Sequence, residues 1–158
     1  LGLHRGRGIA REVVSGLAGY VAGLPLMGVA MIVTLILTKF GGKVPSHPLV
    51  NEISTDFWSV VKLYLLASVW APITEEILFR GALFHHLRRR HRWIVSGLIV
   101  SFIFAAIHPQ GYLGIPMLMT IALILAGLRE WRGSIIAPMV GHALNNFVAT
   151  TLLILMFG

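Results

Sequence analysis

WAPITEEILFRGALFHHL, residues 70–87, lies in one of the most apolar regions of a 158-residue chain, yet it carries Glu75, Glu76 and Arg80. A charged side chain near a bilayer centre costs at least ~2.5 kcal/mol on insertion scales, so such residues usually face a cavity and take part in function. Whether this segment is membrane-embedded therefore decides the fold. With 56% hydrophobic residues, 12% charged residues and a mean hydropathy of +0.82, the composition lies far outside the usual range of soluble domains. The chain reads as an integral membrane protein.

Outward from residues 70–87, nearly uncharged stretches run over 13–38, 57–84, 94–107, 112–128 and 135–157. Against the ~20 residues needed to cross the hydrocarbon they predict about five helical spans, the third and fourth rather short. The expected fold is an all-α, polytopic transmembrane bundle. Residues 39–56, KFGGKVPSHPLVNEISTD, mix Gly, Pro and both charges and read as a surface loop, with Thr55 or Asp56 as a cap for the next helix. The chain divides into an amino-terminal span and loop, 1–56, and a core, 57–158. It starts at Leu1 without the order of a signal peptide, and is expected to be a fragment whose upstream part is missing.

The charges read as topology. Arg5, Arg7 and Arg11 precede the first span, and Arg88, Arg89, Arg90 and Arg92 follow the second. By the positive-inside rule both lie in the cytoplasm, with the carboxyl end outside. The net charge of +7 is then better matched to anionic lipid than to nucleic acid, which is not expected as a partner. The lack of cysteine excludes disulfides, thiolate metal ligands and a cysteine nucleophile. Gly19 and Gly23 form a G-x-x-x-G that lets another helix approach, read here as ordinary packing.

Glu76 and Arg80, four apart, share a helix face and are expected to pair, while Glu75 is rotated by roughly 100° and addresses another neighbour. From this segment alone, a buried salt-bridge cluster and a catalytic site are both open. Two further stretches bear on that choice. FIFAAIHPQ places His108 four residues after Phe104, and GHALNNF places His142 and Asn146 four apart in the last span. Each has a plain structural use, at a helix end or as interhelical glue. Together they supply a carboxylate, two imidazoles and an amide from three spans, an inventory able to activate water and stabilise an oxyanion.

EEILFR, FAAIH and HALNN resemble, in order, the E-E-x-x-x-R, F-x-x-x-H and H-x-x-x-N signatures of the type II CAAX prenyl endopeptidases and their bacterial relatives, the CPBP or Abi family of intramembrane proteases. The resemblance covers residues 57–157. It implies that Glu75 is the general base for a water also held by His108, that His142 and Asn146 stabilise the oxyanion, and that Glu76 and Arg80 orient the site. Two Glu and two His could instead bind zinc, but H-E-x-x-H is missing and the resemblance implies a metal-independent mechanism, so neither metal nor cofactor is expected.

The function expected is an endopeptidase cleaving a membrane-associated, CAAX-type or other lipidated protein or peptide, in a bacterial or archaeal cell membrane. The alternative is a non-catalytic protein of the bacteriocin-immunity or lysostaphin-resistance type. A transporter would also explain buried charge, but no inverted repeat is visible. Entry to the site is expected from the cytoplasm. Helical rise places Glu75 roughly 18 Å, His142 roughly 12 Å and His108 roughly 22 Å from the inner ends of their spans.

Overall fold

The computed structural model describes residues 2–41 and 56–157, apart from the side chain of Phe157. Five helices account for the apolar stretches: α1 (Ile9–Gly41), α2 (Phe57–Arg88), α3 (Trp93–Ala106), α4 (Gly111–Arg132) and α5 (Ile136–Phe157). All but α3 are long and apolar enough to cross a membrane, and the 14 residues of α3 form a shorter apolar helix. The protein is an all-α integral membrane bundle. The Thr55 alternative for the cap of α2 lies outside the described residues, whereas Asp56 caps that helix by accepting the Ser59 N–H at 3.1 Å.

α1 packs against α4 and α5, α3 against α4, and α2 against α5 and the ends of α3. The glycines on α1 permit that approach. A Cβ at Gly19 would stand 2.5 Å from Leu128 of α4, and one at Gly16 would stand 2.5 Å from the Ala137 carbonyl oxygen of α5. The opposite face of α1 leaves Val21, Val29 and Leu35 exposed, as a lipid-facing helix requires. Gly133, at φ +70°, adopts the left-handed conformation that ends α4 and lets its N–H return to the Arg129 carbonyl.

The ends of the bundle differ in charge. The start of α1, the α2–α3 connection and the α4–α5 turn gather Arg5, Arg7, Arg11, Arg88, Arg89, Arg90, Arg92, Arg129 and Arg132. We call this the basic end. It is fastened by Arg132, which bonds Glu12 at 2.7 and 3.1 Å, and by Arg88, which bonds Glu130 at 2.7 and 2.8 Å. Between that end and the middle of the bundle, Phe79, Phe84, Val100, Phe104, Ala122 and Ala126 form a buried apolar cluster spanning α2, α3 and α4.

Candidate active site

α2 is not a uniform helix, and its departures position the polar residues. Residues Leu66–Trp70 and Ile77–Leu83 are π-helical, a form concentrated at functional sites. In the first segment the Ala71 N–H reaches back five residues to the Leu66 carbonyl. The Ala67 carbonyl thereby loses its α-helical donor, and Pro72, next in line, has no N–H to offer. Asn146 of α5 fills that role, its Nδ2 donating to the Ala67 carbonyl at 2.9 Å. Because a carbonyl only accepts, this bond fixes the orientation of the amide, and Asn146 Oδ1 receives Asn145 Nδ2 at 3.2 Å. Among the described residues, no further acceptor meets the second hydrogen on Asn146 Nδ2.

One turn further along α2, Glu76 and Arg80 are both fully buried and pair at 2.8 Å. The same Glu76 oxygen lies 2.8 Å from His142 Nδ1. Arg80 sends Nη2 to the Ala122 carbonyl of α4 at 2.9 Å and sets its guanidinium 5.1 Å from the centre of the Phe104 ring. The i, i+4 pair anticipated from sequence is therefore one corner of a network joining α2, α4 and α5.

Glu75 points elsewhere, as the rotation between adjacent helical residues requires. Its Oε2 has no hydrogen-bond partner among the described residues, but lies 3.7 Å from His142 Nε2 and 4.0 Å from His108 Nε2. His108 sits just beyond α3, held by its own helix. Its Nδ1 is 2.6 Å from the Phe104 carbonyl and its ring stacks on the Phe104 ring at 4.1 Å between centres. Since that carbonyl cannot donate, the network assigns a proton to Nδ1, and in the neutral ring Nε2 presents a lone pair toward Glu75. Phe104 also meets the His142 ring edge-on at 5.9 Å, so one buried phenyl fixes both imidazoles.

These groups border a cavity of about 610 Å³ between α2 and α4, with α5 as its floor. Glu75, His108, His142, Asn145 and Asn146 line it directly, while Glu76 stands behind His142. Its remaining wall is largely apolar, including Leu66, Trp70, Met117 and Ile121.

Residues 57–148, more than half of the chain, match the type II CAAX prenyl endopeptidase Rce1-like family. The chain belongs to this family. It is also 30% identical over 145 residues to an uncharacterized 24.3 kDa protein of Escherichia coli, a match covering 86% of this chain and 64% of that protein. The chain thus spans less than two-thirds of the length of that relative. No solved structure matches it.

Within this Rce1-like chain the structure brings all six sequence-selected residues together, although they come from separate segments. The F-x-x-x-H spacing has a local physical meaning, because Phe104 supplies both the carbonyl and the ring that hold His108. Three polar cavity residues, Gln110, Asn145 and Thr150, were not selected from sequence. Asn145 had a signal, being a second amide beside Asn146 in an apolar span. Gln110 lies in the turn before α4, and its buried Oε1 has no partner among the described residues. Among those residues no group of three or more His, Asp or Glu side chains has a metal-holding arrangement.

Proposed function

We propose that the protein is a glutamate-dependent intramembrane endopeptidase, with residues 57–158 as its catalytic core, acting in a bacterial or archaeal cell membrane on a membrane-associated or lipidated peptide. The observation that carries this reading is the buried Glu75 Oε2, which has no hydrogen-bond partner among the described residues and lies within 4.0 Å of both imidazole Nε2 atoms. Such spacing is too long for direct bonds and suits one shared water.

The water donates one proton to Glu75 and the other to the His108 Nε2 lone pair, leaving an oxygen lone pair directed at the peptide carbonyl carbon. As the C–O bond forms, Glu75 takes the water proton. The carbonyl oxygen becomes an oxyanion, stabilised by the free Asn146 amide N–H and by His142 when Nε2 is protonated. Collapse breaks the C–N bond, and the Glu75 carboxyl returns its proton to the leaving amine. One peptide and one water give one acid and one amine. Glu76, with Arg80 behind it, accepts from His142 Nδ1 and holds the ring in register, as a carboxylate does for a catalytic imidazole.

The test is a comparison of cleaved peptides in membranes carrying the wild-type protein or Glu75→Gln. A cleavage product lost with Glu75→Gln is expected. Identical peptide profiles would reject the reading.

A further inference from the structure

A second recess, a groove between α2 and α3, is separated from the Glu75 cavity by one layer of rings, Phe79 and Phe104. Buried Phe79 and partly buried Leu83 form its floor, with Leu78, Ala82 and His86 along one rim and Ile103 and Ile107 of α3 along the other. It encloses about 460 Å³ and belongs to the half of α2 nearer the basic end. The floor is fixed, since the Phe79 ring meets the buried Phe104 ring edge-on at 5.1 Å. The rims face outward: Leu78 is 57% and Ile107 65% exposed, and the small side chain of Ala82 leaves depth between them.

Polarity along this groove changes in one direction. From Leu78 to Ala82 the rim is apolar, and His86 adds an imidazole one turn on. Arg89 and Arg90 follow within the next turn, where the Arg90 and His91 N–H groups still return to the Leu87 carbonyl at 3.0 and 2.9 Å. Arg92 then precedes α3, and Trp93, its first residue, is 40% exposed, as suits an aromatic side chain at headgroup level. The cations there are in excess. Arg88 is committed to Glu130, whereas Arg89, Arg90 and Arg92 form no ion pair with a carboxylate among the described residues.

An apolar channel that runs into unpaired cations has the order of a phospholipid, chain first and phosphate after. We propose that the groove holds one acyl chain of an anionic phospholipid from the leaflet at the basic end, its phosphate received by His86, Arg89 and Arg90. Guanidinium groups meet phosphate oxygens in charge-assisted hydrogen bonds, and each basic side chain near an anionic surface raises affinity roughly fivefold. A zwitterionic lipid brings its own ammonium to these cations and is disfavoured. A second copy of the chain, held in the same orientation by the membrane, would set arginine against arginine, a like-charge contact that costs affinity. The site does not depend on the proteolytic reading.

For the test, the intact chain is placed in phosphatidylcholine nanodiscs with a trace of phosphatidylglycerol or phosphatidylcholine carrying a diazirine in one acyl chain, and the photolabelled residues are mapped. The lipid-facing side of α1, with Val21, Val29 and Leu35, is the internal reference, because α1 starts at the same basic end beside Arg5, Arg7 and Arg11. At low salt the ratio of phosphatidylglycerol to phosphatidylcholine labelling is expected to be roughly tenfold higher at Leu78, Ile103 and Ile107 than on α1. Arg89→Gln with Arg90→Gln should bring the groove to the α1 ratio, and Arg5→Gln with Arg7→Gln should leave it unchanged. Glycerol 1-phosphate at matched ionic strength should not displace the lipid, since it has no chain for the groove. Equal ratios at the groove and on α1 would overturn the proposal, as would an equal loss from the Arg5 and Arg7 changes or displacement by glycerol 1-phosphate. So would a groove labelled by neither lipid, the result of its being covered by protein.

Discussion

Among the described residues, two carboxylates, Glu12 and Glu76, are fully buried against an arginine, and they are built differently. Glu12, at the basic end, has both oxygens engaged: Oε1 takes the Arg7 N–H and Arg132 Nη2, and Oε2 takes Arg132 Nε. Glu76, inside the bundle, gathers Arg80 and His142 on Oε1, while its Oε2 and Arg80 Nε have no partner among the described residues. A saturated pair fixes the distance between two segments and has no bond to spare. An unsaturated pair connected to an imidazole can transmit its orientation to whatever that imidazole faces. The first fastens the start of α1 to the α4–α5 turn across 120 residues, and the second aims His142 at Glu75.

The contrast can be broken at several strengths. The largest effect short of the base itself is expected from His108→Ala, which removes the second acceptor for the water. Turnover should fall on the order of 10²-fold or more, with melting in detergent little changed, as read by reporter-peptide cleavage and thermal unfolding in parallel. Glu76→Gln should lower both readouts. Arg80 loses its counter-charge in an apolar setting, a destabilisation on the order of 3 kcal/mol, and His142 loses its anchor. Glu12→Gln should lower the melting temperature by less, because its pair lies at the basic end of the bundle, where the Arg132 side chain keeps a little exposure, whereas Arg80 is fully buried. Activity per folded molecule should stay at the wild-type level. Loss of specific activity in Glu12→Gln would erase the distinction between fastener and site.

A finer test concerns the Ala67 carbonyl. Asn146→Ala leaves it without a donor, at a cost of about 1–3 kcal/mol, and takes one of two oxyanion donors. Pro72→Ala supplies an N–H in the π-helical register. In the double variant, the stability lost with Asn146→Ala should be partly restored, by roughly 1 kcal/mol in a double-mutant cycle, while activity is not. Additive stabilities would show that Asn146 does not serve this carbonyl.

Hydropathy made the five helices legible because each must hide its backbone polarity from lipid within itself, so long apolar runs leave little choice of structure. The i, i+4 pairs Glu76–Arg80, Phe104–His108 and His142–Asn146 were legible for a related reason, since helical geometry alone places them on shared faces. What could not be read depends on distant segments. Nothing near Glu12 announces Arg132, and nothing around Ala67 announces an amide 79 residues away. Pro72 stands in an apolar span, but its effect on the Ala67 carbonyl depends on the helix widening there, which the sequence does not announce.

The central claim is that Glu75 is the base and Glu76 its positioning neighbour. Its most direct test is the rate at which purified wild-type protein and Glu75→Gln, in proteoliposomes, cleave a transmembrane or lipidated reporter peptide that the wild type cleaves, with unfolding measured on the same samples. Replacing Glu75 by its neutral isostere removes the proton acceptor while leaving the Glu76–Arg80–His142 network untouched. The account predicts a loss of 10²- to 10⁴-fold in rate with an unchanged melting temperature. Cleavage by Glu75→Gln at the wild-type rate would contradict it.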